Sequence, residues 1–360
     1  MNRIKHLNVF CEDRQVGTLA KTSTGMVAFQ YTDVWLREGY SISPISIPLA
    51  DKVFAPKSEP FDGLFGVFAD SLPDGWGRLL VDRMLRENKI DPLSLDPLQR
   101  LAIVGESGMG ALSYKPVYEL KARNSMLDYD MLAEACANVL ADKHSDDLDE
   151  LFRLGGSSGG ARPKVMTEIN GEAWIVKFPS SSDKKDIGKE EFLYNQTADK
   201  CGITVAEHAL LASKKCAGYF ASKRFDRKRC TDNSNCRVHM ISVSGLLETS
   251  HRIPNLDYNV LMRLTGYLTR SNEDLEQLYR LMCFNVFAHN RDDHSKNFSF
   301  LYDETIKEWH LAPAYDLTYS SSLGGEHATT VNGNGSNPGE KELLEVAKDA
   351  SISQRVAKNI

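Results

Sequence analysis

One stretch constrains this chain more than any other: His289-Asn290-Arg291-Asp292-Asp293-His294-Ser295-Lys296-Asn297, followed by Ala312-Pro313-Ala314-Tyr315-Asp316. It directly follows an apolar pattern in which Leu275, Leu278, Met282, Cys283, Val286 and Phe287 recur at helical spacing. Burying that stripe fixes where the helix ends and therefore where the polar loop begins. The loop carries acids and an amide of the kind that can hold Mg²⁺ against the phosphates of a nucleotide. Asp, Asn and His also favour turns for purely local reasons, so the loop needs support from elsewhere in the chain.

That support comes from what lies upstream. Leu154-Gly155-Gly156-Ser157-Ser158-Gly159-Gly160-Ala161-Arg162-Pro163-Lys164 has the composition of a flexible linker. Its flanks, Leu151-Phe152-Arg153-Leu154 and Val165-Met166-Thr167-Glu168-Ile169, read as strands. Gly156, Ser157, Ser158, Gly159 and Gly160 are then expected at a strand-to-strand turn whose backbone N–H groups can close over phosphate oxygens. No Lys-Ser or Lys-Thr follows and no helix opens there, so this is not the common P-loop but is closer to a kinase glycine flap. Asn170-Gly171 makes a hairpin turn. The next strand, Ala173-Trp174-Ile175-Val176-Lys177-Phe178-Pro179, holds Lys177 inside an apolar run, where an ammonium costs desolvation unless it meets an anion. The α/β phosphates of ATP suit it, with Glu191, or Glu190 as fallback, orienting it from the following helix.

Arg291-Asp292 with Asn297 five residues on matches the catalytic loop of kinase-type phosphotransferases. Asp292 is the expected base and Asn297 a metal ligand. Asp293 could serve as base but lacks the five-residue offset. A hairpin of Phe298-Ser299-Phe300-Leu301-Tyr302 and Trp309-His310-Leu311-Ala312-Pro313 is expected to return Asp316 beside Asn297 as the second Mg²⁺ ligand. His289 and His294 read as loop architecture.

At 360 residues the chain predicts two or three compact units. With 26% charged and 42% hydrophobic residues it reads as soluble and globular. A net charge of -6 argues against a generally basic nucleic-acid binder. The first ten residues lack a continuous apolar core, and no run approaches the roughly 18 apolar residues of a membrane span, so a cytoplasmic protein with no membrane partner is expected. Seven scattered cysteines without a C-x-x-C pair suggest reduced, structural thiols. Cys230, Cys236 and His239 are poorly spaced for a metal knuckle.

The remaining patterns are structural. A small antiparallel meander is expected from Leu7 to Tyr31, and Leu79, Leu80, Met84 and Leu85 mark a core helix. Gly105-Glu106-Ser107-Gly108-Met109-Gly110 leads into a strand ending at Pro116, whereas a dinucleotide loop must open a helix, so it reads as a structural turn. Asp128 caps a helix carrying Leu132, Ala135, Cys136, Val139 and Leu140. The acidic residues from Asp142 to Glu150 read as a solvated connector. The strand around Tyr219 to Arg227 is expected to close the second sheet, with Arg224 and Arg227 a structural salt-bridge strip outside the site. Val260, Leu261, Leu264, Tyr267 and Leu268 form one helical stripe, and a Ser271-x-x-Asp274 capping box opens the next.

With these residues in place the chain resembles the HipA-family toxin kinases of bacterial toxin–antitoxin modules. Gly155 to Lys164, Ile175 to Pro179, Arg224 to Arg227, Asp292 to Ser299 and Tyr315-Asp316 carry the resemblance, and Phe68 to Gly77 with Gly105 to Tyr114 extend it to the amino-terminal part. It implies an α+β, two-lobed protein-kinase-like fold, with an amino-terminal mixed α/β subdomain (1–120), a small lobe (121–230) and a mainly helical carboxy-terminal lobe (231–360). It implies ATP with Mg²⁺ and Ser/Thr phosphorylation of a protein substrate, an aminoacyl-tRNA synthetase in characterised relatives. A HipB-like DNA-binding antitoxin is the implied partner, with DNA reached only through it. Ser157, seven residues before Lys164, falls where the family autophosphorylates a loop serine, and Ser158 is the fallback. The loop is richer in glycine than the founding toxin's, so target choice is not carried over. Relatives continue with further helices past the position of Ile360, so the last lobe is expected to be cut short. A catalytically quiet co-repressor and a small-molecule kinase are the competing readings.

Overall fold

The computed structural model describes residues 4–57, 60–120, 128–143, 145, 147–230, 235–322 and 324–360. His144 and Asp146 of the acidic connector, the expected boundary at 121, and residues 231–234 lie outside the described residues. The architecture is mixed α/β and divides into two compact units. One is Met1–Lys189 with His208–Ile241 and Gly245–Glu248; the other is Glu190–Glu207 with Ser242–Ser244 and Thr249–Ile360.

The first unit begins with the expected meander, β1 (His6–Cys11), β2 (Arg14–Lys21) and β3 (Val27–Tyr31). Leu7, Val9 and Cys11 alternate into the core, and β4 (Leu112–Lys115) joins beside β1 to give the order β3-β2-β1-β4. A second antiparallel sheet runs β5-β6-β8-β7, with β5 Lys164–Ile169, β6 Glu172–Lys177, β7 His208–Leu211 and β8 Tyr219–Lys223. Asn170 (φ 55°) and Gly171 (φ 79°) turn β5 into β6, the two positive φ values that a tight hairpin needs. One core joins the amino-terminal region to this sheet: Trp76, Leu80 and Met84 of the helix Gly75–Glu87 pack with Leu132, Val139, Leu151, Val165, Trp174, Val176 and Phe178. Each such side chain contributes about 1.5–3 kcal/mol on burial.

Three expectations change. Leu151-Phe152-Arg153-Leu154 is not a strand but part of the helix Leu148–Gly155. Leu148, Leu151 and Gly155 fall on one buried face at helical spacing, and buried Glu150 pairs with Arg153 at 2.5 Å, so the acidic connector is partly structural as well. The Gly-rich segment therefore joins a helix to a strand. Secondly, the strand Tyr219–Lys223 lies inside its sheet, which β7 closes. Thirdly, Cys230 and Cys236 form a disulfide, Cα–Cα 5.7 Å, next to the paired strands Arg227–Arg229 and Asn235–Arg237. Arg224 and Arg227 form the structural salt bridges expected of them, around Asp226. The fully buried Asp226 carboxylate accepts from Arg224, Arg227 and the Gly110 amide, while Arg227 and Arg237 donate to the Gly108 and Gly110 carbonyls. That clamp fixes the glycine turn as structure. Burial alone would raise the Asp226 carboxyl, but the Arg224 charge beside it holds it well below the usual carboxylate range.

The second unit holds the helices Tyr258–Thr269 and Asn272–Phe287, the latter capped by Ser271 Oγ, which accepts from the Asp274 amide at 3.1 Å. The strands Ser299–Asp303 and Glu308–Leu311 form the expected hairpin, with Phe300 opposite Leu311, and the helices Glu340–Asp349 and Gln354–Asn359 follow. Among the described residues no helix is long and apolar enough to cross a membrane.

Candidate active site

The loop from His289 to Asn297 rests on a buried polar network. The helix Asn272–Phe287 stops at His289, whose φ of 54° turns the chain out of the helix. Asn290 donates to Asn285 Oδ1 (2.9 Å), Asn285 donates to the Tyr258 hydroxyl (2.9 Å), and Tyr258 donates to Asp293 Oδ2 (2.9 Å). His327 Nδ1 lies 3.0 Å from the same oxygen, the Thr329 amide donates to Asp293 Oδ1 at 3.2 Å, and the Thr329 hydroxyl donates to the Asp293 carbonyl. Burial, then the neighbouring Asp293 charge, pushes the Tyr258 hydroxyl well above its usual pKa, so it stays a donor.

Asp293 thus spends both carboxylate oxygens inside the protein and is buried, whereas the side chain of Asp292 is 61% exposed. The two acids divide the work: one holds the loop, the other faces outward. His294 Nδ1 accepts the Lys296 amide (3.2 Å) and starts the turn Ser295–Asn297, while Asn297 Nδ2 donates to the Asp292 carbonyl (2.6 Å). That bond leaves the Asn297 amide oxygen to offer a cation. The Tyr315 hydroxyl donates to the Lys296 carbonyl at 2.6 Å and lies 2.6 Å from Ser299 Oγ, which ties the side chain of the residue before Asp316 to the loop. Asp316 itself has a φ of 58°. Among the described residues no cluster of three or more His, Cys, Asp or Glu suits a metal. An amide oxygen and one carboxylate, completed by phosphate oxygens and water, is however the hard, sparse donor set that Mg²⁺ accepts, so Asn297 and Asp316 fit it.

Glu191 is buried in the helix Ile187–Lys200, and Glu190 is half-buried. One turn on, Asn195 donates to the Glu191 carbonyl (2.9 Å) and reaches the Leu317 carbonyl (3.5 Å). Glu191 therefore belongs to the unit that carries Asp316, while Lys177 belongs to the other.

In the first unit, Lys177 ends β6 with its ammonium 5.6 Å from the centre of the Phe220 ring. The register sets Lys164 directly opposite it. Lys164 is itself buried, 8% exposed. The Gly-rich segment is folded down in this structure. Ser157 donates to the Ser107 carbonyl (2.8 Å), Ser158 donates to the Gly155 carbonyl (2.6 Å), and both serines are buried. The Gly160 amide donates to the Asp74 carboxylate, and a Cβ on Gly160 would come within 2.7 Å of Lys164 Nζ. A carboxylate thus sits in a nest of amide and ammonium that suits a phosphate equally well. Among the described residues, Asp74 Oδ1 is the atom nearest the place of a Cβ on Gly159, at 3.7 Å.

Sequence reasoning missed Lys164, Tyr258, Asn285, His327 and Thr329. Lys164 was recoverable: counting outward from the Asn170-Gly171 turn pairs it with Lys177. The others carry no local signal.

A lysine-bearing sheet with a Gly-rich segment, and a helical unit with an outward aspartate and an amide at kinase spacing, define a kinase-like protein. The chain belongs to the HipA family: the HipA-like C-terminal domain matches residues 156–360 and the HipA N-terminal domain matches residues 7–115. Two proteins of Sinorhizobium fredii resemble it, "Putative kinase Y4dM", 23% identical over 99% of this chain and 88% of its own length, and "Putative kinase Y4mE", 26% identical over 87% and 77%. A chain from the Shewanella oneidensis MR-1 toxin–antitoxin complex of HipA, HipB and operator DNA shares the fold. The TM-score is 0.72, at 17% identity over 98% of this chain and 86% of that one.

Proposed function

We propose that this chain is an ATP- and Mg²⁺-dependent Ser/Thr protein kinase and the toxin of a toxin–antitoxin pair. Its partner is a HipB-like DNA-binding antitoxin, through which alone it meets DNA, and its target is a protein of translation such as an aminoacyl-tRNA synthetase. The observation that carries the reading is the contrast between Asp292, outward and exposed, and Asp293, buried in hydrogen bonds. Only the former can take a proton from an incoming hydroxyl.

In this mechanism Asp292 orients the acceptor hydroxyl and receives its proton. Asn297 and Asp316 offer oxygens to Mg²⁺, which when bound neutralises phosphate charge. Lys177 and Lys164 offer ammonium groups to the phosphates. The amides of Gly156, Ser157, Ser158, Gly159 and Gly160 line the phosphate path. Autophosphorylation at Ser157, or Ser158 in its place, requires the bond from Ser157 to Ser107 to break, and sets close to two negative charges where the phosphates of ATP belong.

Radiolabelled ATP offered with protein and small-molecule acceptors tests the proposal against its rivals. Label entering protein serines in the wild type but not in Asp292→Asn supports it. Label on small molecules alone would make it a small-molecule kinase, and no turnover in either form would make it a quiet co-repressor.

A further inference from the structure

The ring of His294 does two things at once. Its Nδ1 accepts the Lys296 amide (3.2 Å), which starts the turn Ser295–Asn297. A ring nitrogen that accepts a backbone N–H carries no proton of its own, so the proton of the neutral imidazole sits on Nε2. That Nε2 lies 4.0 Å from Asp292 Oδ1. The hydrogen bond made on one side of the ring therefore decides what the other side shows to the carboxylate.

A second histidine, from a different loop of the same unit, backs the first. The rings of His251 and His294 have their centroids 5.3 Å apart with planes tilted by 53°, within the range where aromatic rings attract. The loop that carries His251 is tied at both ends. The Thr249 amide donates to the Ser244 carbonyl (3.0 Å), Ser244 Oγ donates to the Thr249 carbonyl (2.6 Å), and Asn255 Nδ2 donates to Thr249 Oγ1 (2.6 Å). Within it, the Arg252 amide donates to Ser250 Oγ (3.3 Å) and the Ile253 amide to the Ser250 carbonyl (3.2 Å), which turns the chain tightly around His251.

We propose that His294 and His251 are a positioning pair for Asp292: His251 holds the plane of the His294 ring, and the ring presents its Nε2–H to Asp292 Oδ1. The Asp292 side chain is 61% exposed, so packing alone does not fix its rotamer. A donor on Oδ1 turns Oδ2 toward the incoming hydroxyl, and bonds of this kind commonly shorten only when substrate is bound. The inference rests on the kinase reading. In that reaction the acceptor oxygen bonds to the γ-phosphorus of ATP as the bond from that phosphorus to the bridging oxygen breaks, the hydroxyl proton passes to Asp292 Oδ2, and ADP leaves. His294 gives up no proton in the step.

Nitrogen-15 NMR of the full chain reads the ring without any activity. The proposal expects His294 as the Nε2–H tautomer, and an Nδ1–H ring overturns the geometry. Kinetics read the role. His294→Asn keeps a side-chain acceptor for the Lys296 amide, since Asn caps a turn well, but loses the Nε2–H. It should lower kcat on the order of a hundredfold while KM for ATP moves by less than about twofold. A role in the turn alone leaves kcat of this variant at the wild-type value, and that result overturns the proposal. His251→Ala should lower kcat by about tenfold, and His251→Phe, which keeps a stacking ring, should restore most of it. Equal rates for these two variants overturn the part given to His251, and the two carry the test where His294→Asn does not fold. No transfer by the wild type overturns the kinase reading and the role of the pair with it, whereas a wild type that transfers no faster than His294→Asn overturns the pair alone.

Discussion

Asp293 Oδ2 lies 3.0 Å from His327 Nδ1, and both side chains are buried. Thirty-four residues separate them in the chain. The pair ties the loop from His289 to Asn297 to the segment that follows Asp316, while the neighbouring Asp292 side chain is 61% exposed.

Removing the Asp293 carboxylate strands the donors of Tyr258 and the Thr329 amide. We expect Asp293→Ala to cost about 3 kcal/mol of stability, whereas Asp292→Asn changes stability by less than about 0.5 kcal/mol because its side chain is exposed. Paired chemical denaturation of the two variants checks this, and equal losses would contradict the division of roles.

Gly75 has a φ of 39°, and a Cβ there would meet the Gly160 carbonyl at 2.5 Å. Gly75→Ala is expected to push the Gly-rich segment off the helix behind it. Amide exchange at residues 157–160, read by mass spectrometry, should rise on the order of tenfold. Unchanged exchange would mean that the segment is held by something other than this close approach.

How much of this was legible in the sequence depends on how local each cause is. Ser271 and Asp128 cap helices through amides three residues on, so their roles show in a short window. Leu151-Phe152-Arg153-Leu154 misled because four residues cannot separate a period of 2 from one of 3.6; Leu148 and Gly155, outside that window, decide for the helix. β7 is only four residues long and half-buried throughout, so it leaves almost no pattern. The kinase spacing from Asp292 to Asn297 was readable, but which aspartate is buried was not. That is set by Tyr258, His327 and Thr329, each more than thirty residues from Asp293.

His239 is buried with Nε2 2.8 Å from the Ile42 carbonyl. Burial lowers its pKa to about 4, only partly opposed by that hydrogen bond. A histidine that is harder to protonate folded than unfolded gives stability that is fully present above about pH 6.5 and is lost as pH falls toward 4. The loss amounts to roughly 3 kcal/mol. His239→Gln should flatten this part of the stability curve, measured by denaturation at half-unit pH steps. An unaltered slope would assign the loss to other groups.

The Asp74 carboxylate accepts the Gly160 amide in the nest where Lys164 also points. If phosphate takes that place, Asp74→Asn removes a competing charge, and the Kd for Mg-ATP by calorimetry should fall by about threefold or more. A weaker Kd would show that Asp74 assists binding.

The most direct test is the single-turnover rate of phosphate transfer from ATP to a protein serine, measured for the wild type and for Asp292→Asn at equal fold stability. Loss of the outward carboxylate should slow transfer on the order of a thousandfold. A variant that transfers at the wild-type rate would contradict the assignment of Asp292.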